Sequence, residues 1–488
     1  MTAAVAAAFA LPIAAQAAGK TVTIGMRLEP PALDPTTGAA AAISQVTTYN
    51  IFETLTKLDN EGKVHPMLAE SWTISDDGLS YTFKLAKGVK FHDGSDFDAA
   101  DVLFTFERNK GPDSKNKRKA TFEKMVSITA PDSHTVQITL DAPYSLLTFD
   151  LAQAVSAIVA PETAGTNETN PVGTGPYRFD KWVKGDSVTM VRFADHRDAA
   201  DAQIERATFR FIGDAAAQVA ALLAGDLDYM PSLSASELFP QFENHPDFNT
   251  LKGTTEGETI SAMNNGHPAL SDVRVRRAIM HAVDRQAVIE GASSGYGTPI
   301  GTHFAPHHPA YVDLTDISAY DPDKARSLLA EAGYGDGLEL SLKLPPPSYA
   351  RRGGEIVADM LGRVGITAKI ENVEWPVWLD QVYKNTQYDL TIISHVEPMD
   401  LGIYAREGYY FNYDSAEFRA ILAKADSAVT VADQTKYLQA AQRKLAEDAV
   451  NGFIYEGAKL GVAKKGLTGL WSNWPAFINE VSAMRWES

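Results

Sequence analysis

Four short segments of the chain gather carboxylates, aromatic rings and prolines: Arg27-Leu28-Glu29-Pro30-Pro31, Pro345-Pro346-Pro347-Ser348-Tyr349, Glu374-Trp375 and His395-Val396-Glu397-Pro398-Met399-Asp400. Prolines hold loops in place, and carboxylates in a partly closed cleft suit a cationic or amine-bearing ligand. Tyr409, with Tyr404, Tyr410 and Tyr413 nearby in sequence, offers rings that either stack on a flat ligand or pack with their hydroxyls satisfied. Arg351 and Arg352 can grip a ligand carboxylate through paired hydrogen bonds or stand solvated. This is the chemistry of non-covalent capture.

Signals for bond-breaking chemistry are weaker. Gly291-Ala292-Ser293-Ser294-Gly295 fits the G-x-S-x-G pattern of a serine hydrolase. A nucleophile elbow must follow a strand and open a helix, whereas this segment follows a helix and reads as its C-terminal stop. No H-E-x-x-H, Walker loop or G-x-G-x-x-G stands in the right context. His307 and His308 are adjacent and, with His303 and His395, raise the alternative of metal or haem carriage. Neighbouring histidines on an extended segment face opposite ways, so only one would ligate. Phe304, Pro306 and Pro309 suggest a packed surface loop. No catalytic residue, metal or cofactor is assigned.

The four loops follow elements that place them together. Leu338, Leu340, Leu342 and Leu344 alternate with polar residues as a strand does, and a helical pattern runs from about Gly354 to Val364. Ile366 to Val373 reads as a second strand, Pro376 to Val382 as a second helix and Leu390 to Ser394 as a third strand. Two consecutive βαβ units mean a parallel sheet with right-handed crossovers. In such sheets ligands sit beyond the carboxyl ends of the strands, where the loops converge. The first strand, Thr21 to Met26, also ends in one of these loops. Elsewhere Tyr81, Phe83 and Leu85 alternate in one strand, and Val136, Ile138 and Leu140 in another. Asp321 caps a helix stopped by Gly333, and Ser271-Asp272 opens one running to about Gly291. No long linker occurs, so crossing strands must join the halves.

At 488 residues the chain holds two or three domains, an α/β architecture. Lys plus Arg is 44 against 62 for Asp plus Glu, a net charge of −18 that repels nucleic acid. The absence of cysteine excludes disulfides, thiolate metal sites and cysteine nucleophiles. Residues 1–18 are uncharged and Ala-rich, ending in a small-x-small pattern. They read as a signal peptide cleaved near Ala17 or Ala18, sending the chain to a bacterial periplasm without membrane insertion.

Several collinear stretches are specific. They include Leu33-Asp34-Pro35, Leu68-Ala69-Glu70-Ser71-Trp72, Gly88-Val89-Lys90-Phe91-His92-Asp93-Gly94, Pro171-Val172-Gly173-Thr174-Gly175-Pro176-Tyr177 and Leu328-Leu329-Ala330-Glu331-Ala332-Gly333-Tyr334. The mature chain resembles the dipeptide/oligopeptide/nickel family of periplasmic substrate-binding proteins of ABC transporters. That resemblance implies a two-lobed periplasmic-binding-protein fold with an extra subdomain inserted in the first lobe, closing over solute and docking on a membrane permease as a monomer. Lobe I would be 19–261 plus 465–488, with the insertion at about 58–180, and lobe II 262–464. Crossover strands near Ile260–Asn265 and Gly461–Lys465 would form the hinge.

The implied cargo is a small peptide or peptide-like solute such as an opine or amino-acid conjugate; a nickel, haem or oligosaccharide receptor of the same family is the alternative. Gly173-Thr174-Gly175 matches a loop that peptide-binding members use for main-chain contacts, and equally suits a plain turn. Such members anchor the ligand amine with an aspartate in an Asp-Pro-Asp loop following a Trp. The segment His395–Asp400 departs from that pattern but retains Glu397 and Asp400. The expected ligand-binding set is Arg27, Glu29, Gly173, Thr174, Gly175, Tyr349, Trp375, His395, Glu397, Asp400 and Tyr409.

Overall fold

Alternating apolar residues become strands where one face is buried. In Ser80–Leu85, Tyr81, Phe83 and Leu85 are buried while Ser80 and Lys84 are exposed. This strand lies between Ala69–Ile74 and Thr135–Leu140 in a four-stranded antiparallel sheet completed by Met125–Asp132. Phe91, Phe97, Phe106 and Phe122 pack into the same core. Each such side chain contributes roughly 1.5–3 kcal/mol by leaving water. The computed structural model describes residues 20–487 apart from Ala39 and Ser234, so the expected signal peptide lies outside the described residues.

One large sheet runs through the rest of the molecule. Its strands are β1 (Thr21–Met26), β2 (Tyr177–Val183), β3 (Ser187–Arg192), β4 (Arg206–Phe211), β5 (Tyr229–Met230), β6 (Phe248–Met263), β7 (Leu338–Leu344), β8 (Ile366–Asn372), β9 (Leu390–His395) and β10 (Asn451–Lys464). Their spatial order is β8-β7-β9-β6-β10-β5-β1-β4-β3-β2, with Gly297–Pro299 pairing on β10. The expected parallel βαβ pair is present: β7 pairs in parallel with both β8 and β9. Leu340, Leu342 and Leu344 of β7 and Leu390 and Ile392 of β9 share one buried cluster.

Strands β6 and β10 cross between the halves as one antiparallel ribbon, which meets the expectation of strands in place of a tether. Their register breaks between Thr254 and Glu258. It shifts again between Thr259 and Ile260, at the start of the expected Ile260–Asn265 crossover, where Ile260 also pairs with Ile393 of β9. At its other end β10 pairs Ala463 and Val462 with β5.

Three helix expectations change. The run from Ser271 to Gly291 is two helices, α1 (Val273–Ala282) and α2 (Arg285–Ser293), since Asp284 turns extended and caps the second through the amides of Gln286 and Ala287. The expected Gly354 start is preceded by six helical residues, giving α3 (Ser348–Gly362). At mid-helix Gly354 a Cβ would come 2.5 Å from the terminal methyls of Leu344 of β7, so the glycine lets helix and strand pack closely. Pro376–Val382 is an α turn, Trp375–Trp378, running into a π turn, Leu379–Lys384. Pro322–Glu331 is capped by Asp321 as expected, with Gly333 at φ +91° beyond it. Among the described residues, no helix is long and apolar enough to cross a membrane.

Candidate functional site

A trough lies where the crossing ribbon meets the two halves. It consists of two cavities of about 420 and 220 Å³ that share Ala41, on the short helix Ala41–Thr47. The larger is bounded by Arg27, Leu28 and Glu29 after β1, by Gln45 and Ser232, and by Trp474. The smaller is bounded by Lys117, Arg118 and Gln153, by Pro475–Ile478, by Glu256 of β6, and by Val396, Glu397 and Pro398 after β9. Both halves and the ribbon therefore contribute wall.

Arg118 is positioned by a buried carboxylate. Its Nη1 lies 2.7 Å from Asp150 Oδ1, and Thr121 and Tyr144 donate to Asp150 Oδ2 at 2.9 Å each. Its Nη2 stands 3.7 Å from Glu397, reaching from one wall to the other.

At the trough's inner end lies a buried polar cluster. Glu256 and Glu258 of β6 both turn into it, each meeting a histidine. Across the sheet Glu258 pairs in register with His395 of β9 and with Glu456 of β10. His303 Nε2 lies 2.5 Å from Asp400 Oδ1 and 2.9 Å from Glu258 Oε1, and His307 Nε2 lies 2.8 Å from Glu256 Oε1.

Burial pushes the carboxyls of Glu256, Glu258 and Glu456 above the ordinary carboxylate range. Burial also opposes charge on His303, but Glu258 and Asp400 outweigh it and raise its pKa. In return His303 overcomes the burial of Asp400 and holds that carboxyl below its usual value. Burial pulls His395 down to about 4, leaving a neutral ring 2.9 Å from the Tyr410 hydroxyl. Glu258, His303 and Asp400 bring three metal-competent atoms within 4.8 Å of one another.

The expected residues divide between the trough and elsewhere. Arg27, Glu29 and Glu397 line it, although Glu29 Oε1 already accepts from Trp182 Nε1 at 2.9 Å and the Gly185 amide at 3.0 Å. Asp400 and His395 belong to the inner cluster. Tyr409 packs edge-on to Tyr383 at 5.9 Å and against Tyr410 at 5.0 Å, the packed alternative raised for these tyrosines. Trp375 is 39% exposed and meets Trp378 edge-on at 5.7 Å. The Tyr349 hydroxyl accepts from the Ser394 amide at 3.2 Å, bracing the end of β9.

The glycine loop turns out structural. The Gly173 carbonyl accepts from the His92 amide and the Gly173 amide donates to His92 Nδ1; the Gly175 amide donates to the Ile51 carbonyl and the Gly175 carbonyl faces His92 Nε2. Thr174 is fully buried. A Cβ on Gly173 or Gly175 would stand 2.1 or 2.2 Å from a backbone carbonyl oxygen, so these glycines serve close packing, and their own backbone groups are bonded within the protein.

Sequence reasoning missed Arg118, Glu256, Glu258, Glu456 and the role of His303. Glu256-Gly257-Glu258 carried a usable signal, two acids flanking a glycine; Glu456 acquires meaning only through β6–β10 pairing. The histidines separate as their adjacency implied: His307 meets Glu256, while His308 packs 4.8 Å from Phe304. The packed surface loop expected here is present, with Pro309 exposed, while the His307 side chain turns inward and is 1% exposed. Ser293 ends α2, with Ser294 and Gly295 at positive φ, and its hydroxyl donates to Tyr455 at 2.9 Å. That geometry is a helix stop.

The sequence pattern of the bacterial extracellular solute-binding proteins, family 5 (middle region), matches residues 63–416. Glutathione-binding protein GsiB of Salmonella choleraesuis (strain SC-B67) is 32% identical over 358 residues, 72% of this chain and 69% of its own. AgaA of A. tumefacien R10, solved with agropinic acid, superposes with a TM-score of 0.76 at 26% identity, covering 96% of this chain and 99% of that one. The unliganded open form of MppA, a periplasmic murein tripeptide-binding protein, superposes with a TM-score of 0.85 at 23% identity, covering 96% and 98%.

Proposed function

The chain belongs to the family 5 bacterial extracellular solute-binding proteins, a family of substrate-binding receptors, and on that premise we propose that it captures a small peptide or peptide-like solute for an ABC importer. The observation that carries this reading is the trough walled by both halves and by the ribbon joining them. Arg118 and Lys117 offer positive charge to a ligand carboxylate. Glu397, Asp400 and Glu256 offer negative charge to an ammonium. A solute bearing both groups satisfies both sets, as glutathione and other amino-acid conjugates do.

Capture is physical. Closing the halves removes water, and fixed charges then act at lower effective dielectric. The solute shifts the open–closed equilibrium only by its preference for the closed form. Lobe I comprises 19–261 and 465–488 with the insertion at about 58–180, and lobe II comprises 262–464. The chain works in the periplasm after loss of residues 1–18 and hands its cargo to an inner-membrane permease, acting as a monomer without catalysis.

Two measurements test the reading. Native mass spectrometry of the protein as purified, followed by calorimetry with glutathione, agropinic acid and short peptides, is expected to yield a one-to-one solute. Small-angle scattering should then show a smaller radius of gyration on adding it. Binding without contraction, or a solute located outside the trough, would overturn the proposal.

A further inference from the structure

The inner cluster gathers more carboxyl groups than basic groups to face them. Four buried or nearly buried carboxylates, Glu256, Glu258, Glu456 and Asp400, stand against two imidazoles, His303 and His307. We propose that Glu258, His303 and Asp400 form a binding site for a divalent transition-metal ion of the zinc type, with Glu456 available as a further carboxylate.

The geometry supports this on three counts. One Nε2–H cannot serve two acceptors well: it is directed at Asp400, and Glu258 Oε1, though 2.9 Å away, has no aligned donor. A metal ion, which attracts in all directions, satisfies all three ligand atoms from one position. Second, Glu456 is fully buried and neither of its carboxylate oxygens has a hydrogen-bond partner, although the amides of Gly257 and Gly457 lend polarity nearby. It sits opposite Glu258 in the β6–β10 ladder, so its carboxylate borders the same cluster. Third, His303 is oriented from behind: its Nδ1 lies 3.0 Å from the Tyr404 hydroxyl, which also accepts from Asn451 Nδ2 at 3.3 Å. Such a partner fixes the tautomer that presents Nε2 to a metal. One imidazole with carboxylates suits zinc and its neighbours, whereas calcium and magnesium require more oxygen ligands.

Chemically, the rival to an ion is a pair of protons held on the glutamates. The inference does not depend on the identity of the solute, and its test omits solute. Protein stripped with EDTA and then dialysed free of it is titrated with zinc chloride in a calorimeter, with melting temperature as a second readout and Co2+ as a visible-spectrum probe. One zinc per chain is expected, with a raised melting temperature. Glu258→Gln and His303→Gln should each weaken zinc binding at least tenfold, and His65→Gln, at an exposed Asp59–His65 pair, should leave it unchanged. Should either buried variant fail to fold, Tyr404→Phe, which keeps all three ligands, is expected to weaken zinc binding about tenfold. No zinc binding by the parent protein, or parental affinity retained in both Glu258→Gln and His303→Gln, would overturn the proposal. Solute binding measured separately in EDTA keeps the two readings apart, since either can fail alone.

Discussion

Asp400 Oδ1 stands 2.5 Å from His303 Nε2, so this aspartate, three residues beyond the trough-lining Glu397, is already paired within the inner cluster. The pairing keeps its carboxyl ionised below the usual range, as an amine anchor requires. Asp400→Ala is expected to weaken solute binding at least tenfold, about 1.4 kcal/mol, measured by calorimetry in EDTA. An unchanged dissociation constant would move the anchor to Glu397 or Glu256.

Gly175→Ala separates packing from recognition. The new methyl would meet the Asn50 carbonyl oxygen at 2.2 Å, a contact with backbone that cannot swing aside. The variant should lose about 3 kcal/mol or more in urea unfolding while its folded fraction binds solute normally. A variant of parental stability that binds poorly would return the loop to the ligand.

Ser293→Ala addresses hydrolysis. Removing one hydroxyl hydrogen bond to Tyr455 should cost about 1 kcal/mol of stability and leave solute affinity intact. Turnover of any ester or peptide by the parent that vanishes in this variant would contradict the receptor reading.

Lys459 gives a pH signature. It is fully buried, donating to the Trp471 carbonyl and lying 3.3 Å from the Tyr229 hydroxyl, and burial lowers its pKa from 10.5 to about 7. A lysine depressed in the folded state contributes no penalty above pH 10.5 and destabilises increasingly as pH falls from 10.5 to about 7. The penalty at pH 7 is on the order of 4 kcal/mol, and loss of the Trp471 partner offsets about 1–3 kcal/mol of any gain on its removal. Lys459→Met should therefore unfold at a higher temperature than the parent at pH 7, and the difference should shrink or reverse by pH 10. A difference that does not change with pH would contradict a neutral, buried amine.

Much of the second half was legible because its periodicities are local. Leu338–Leu344 alternates over seven residues, and the strand–helix–strand order that follows dictates parallel pairing and the end at which loops converge. The trough was legible in part, since Arg27, Glu29 and Glu397 follow strand ends. Arg118 was not, because it lies on no periodic element and owes its position to Asp150, distant in sequence. Glu456 was hidden for a similar reason: a lone acid in an apolar strand acquires significance only from register with Glu258. The glycine loop was ambiguous in sequence because a tight approach of backbone to backbone demands glycine whether the second backbone is a ligand or Ile51.

The ladder between β6 and β10 joins Phe248–Thr254 to Ala458–Lys464 and Glu258–Ala262 to Asn451–Glu456, with nothing registered in between. That unstitched stretch contains Gly257 and faces Gly457, the residues with the freest backbone torsions. Rotation at Gly257 breaks no β6–β10 ladder pair, while Gly457 stays paired with Gly297 and its carbonyl accepts from the Thr255 hydroxyl at 3.0 Å. A swing of one half against the other about this stretch would leave the β6–β10 pairs on both sides intact, so cargo contacts would decide which posture prevails.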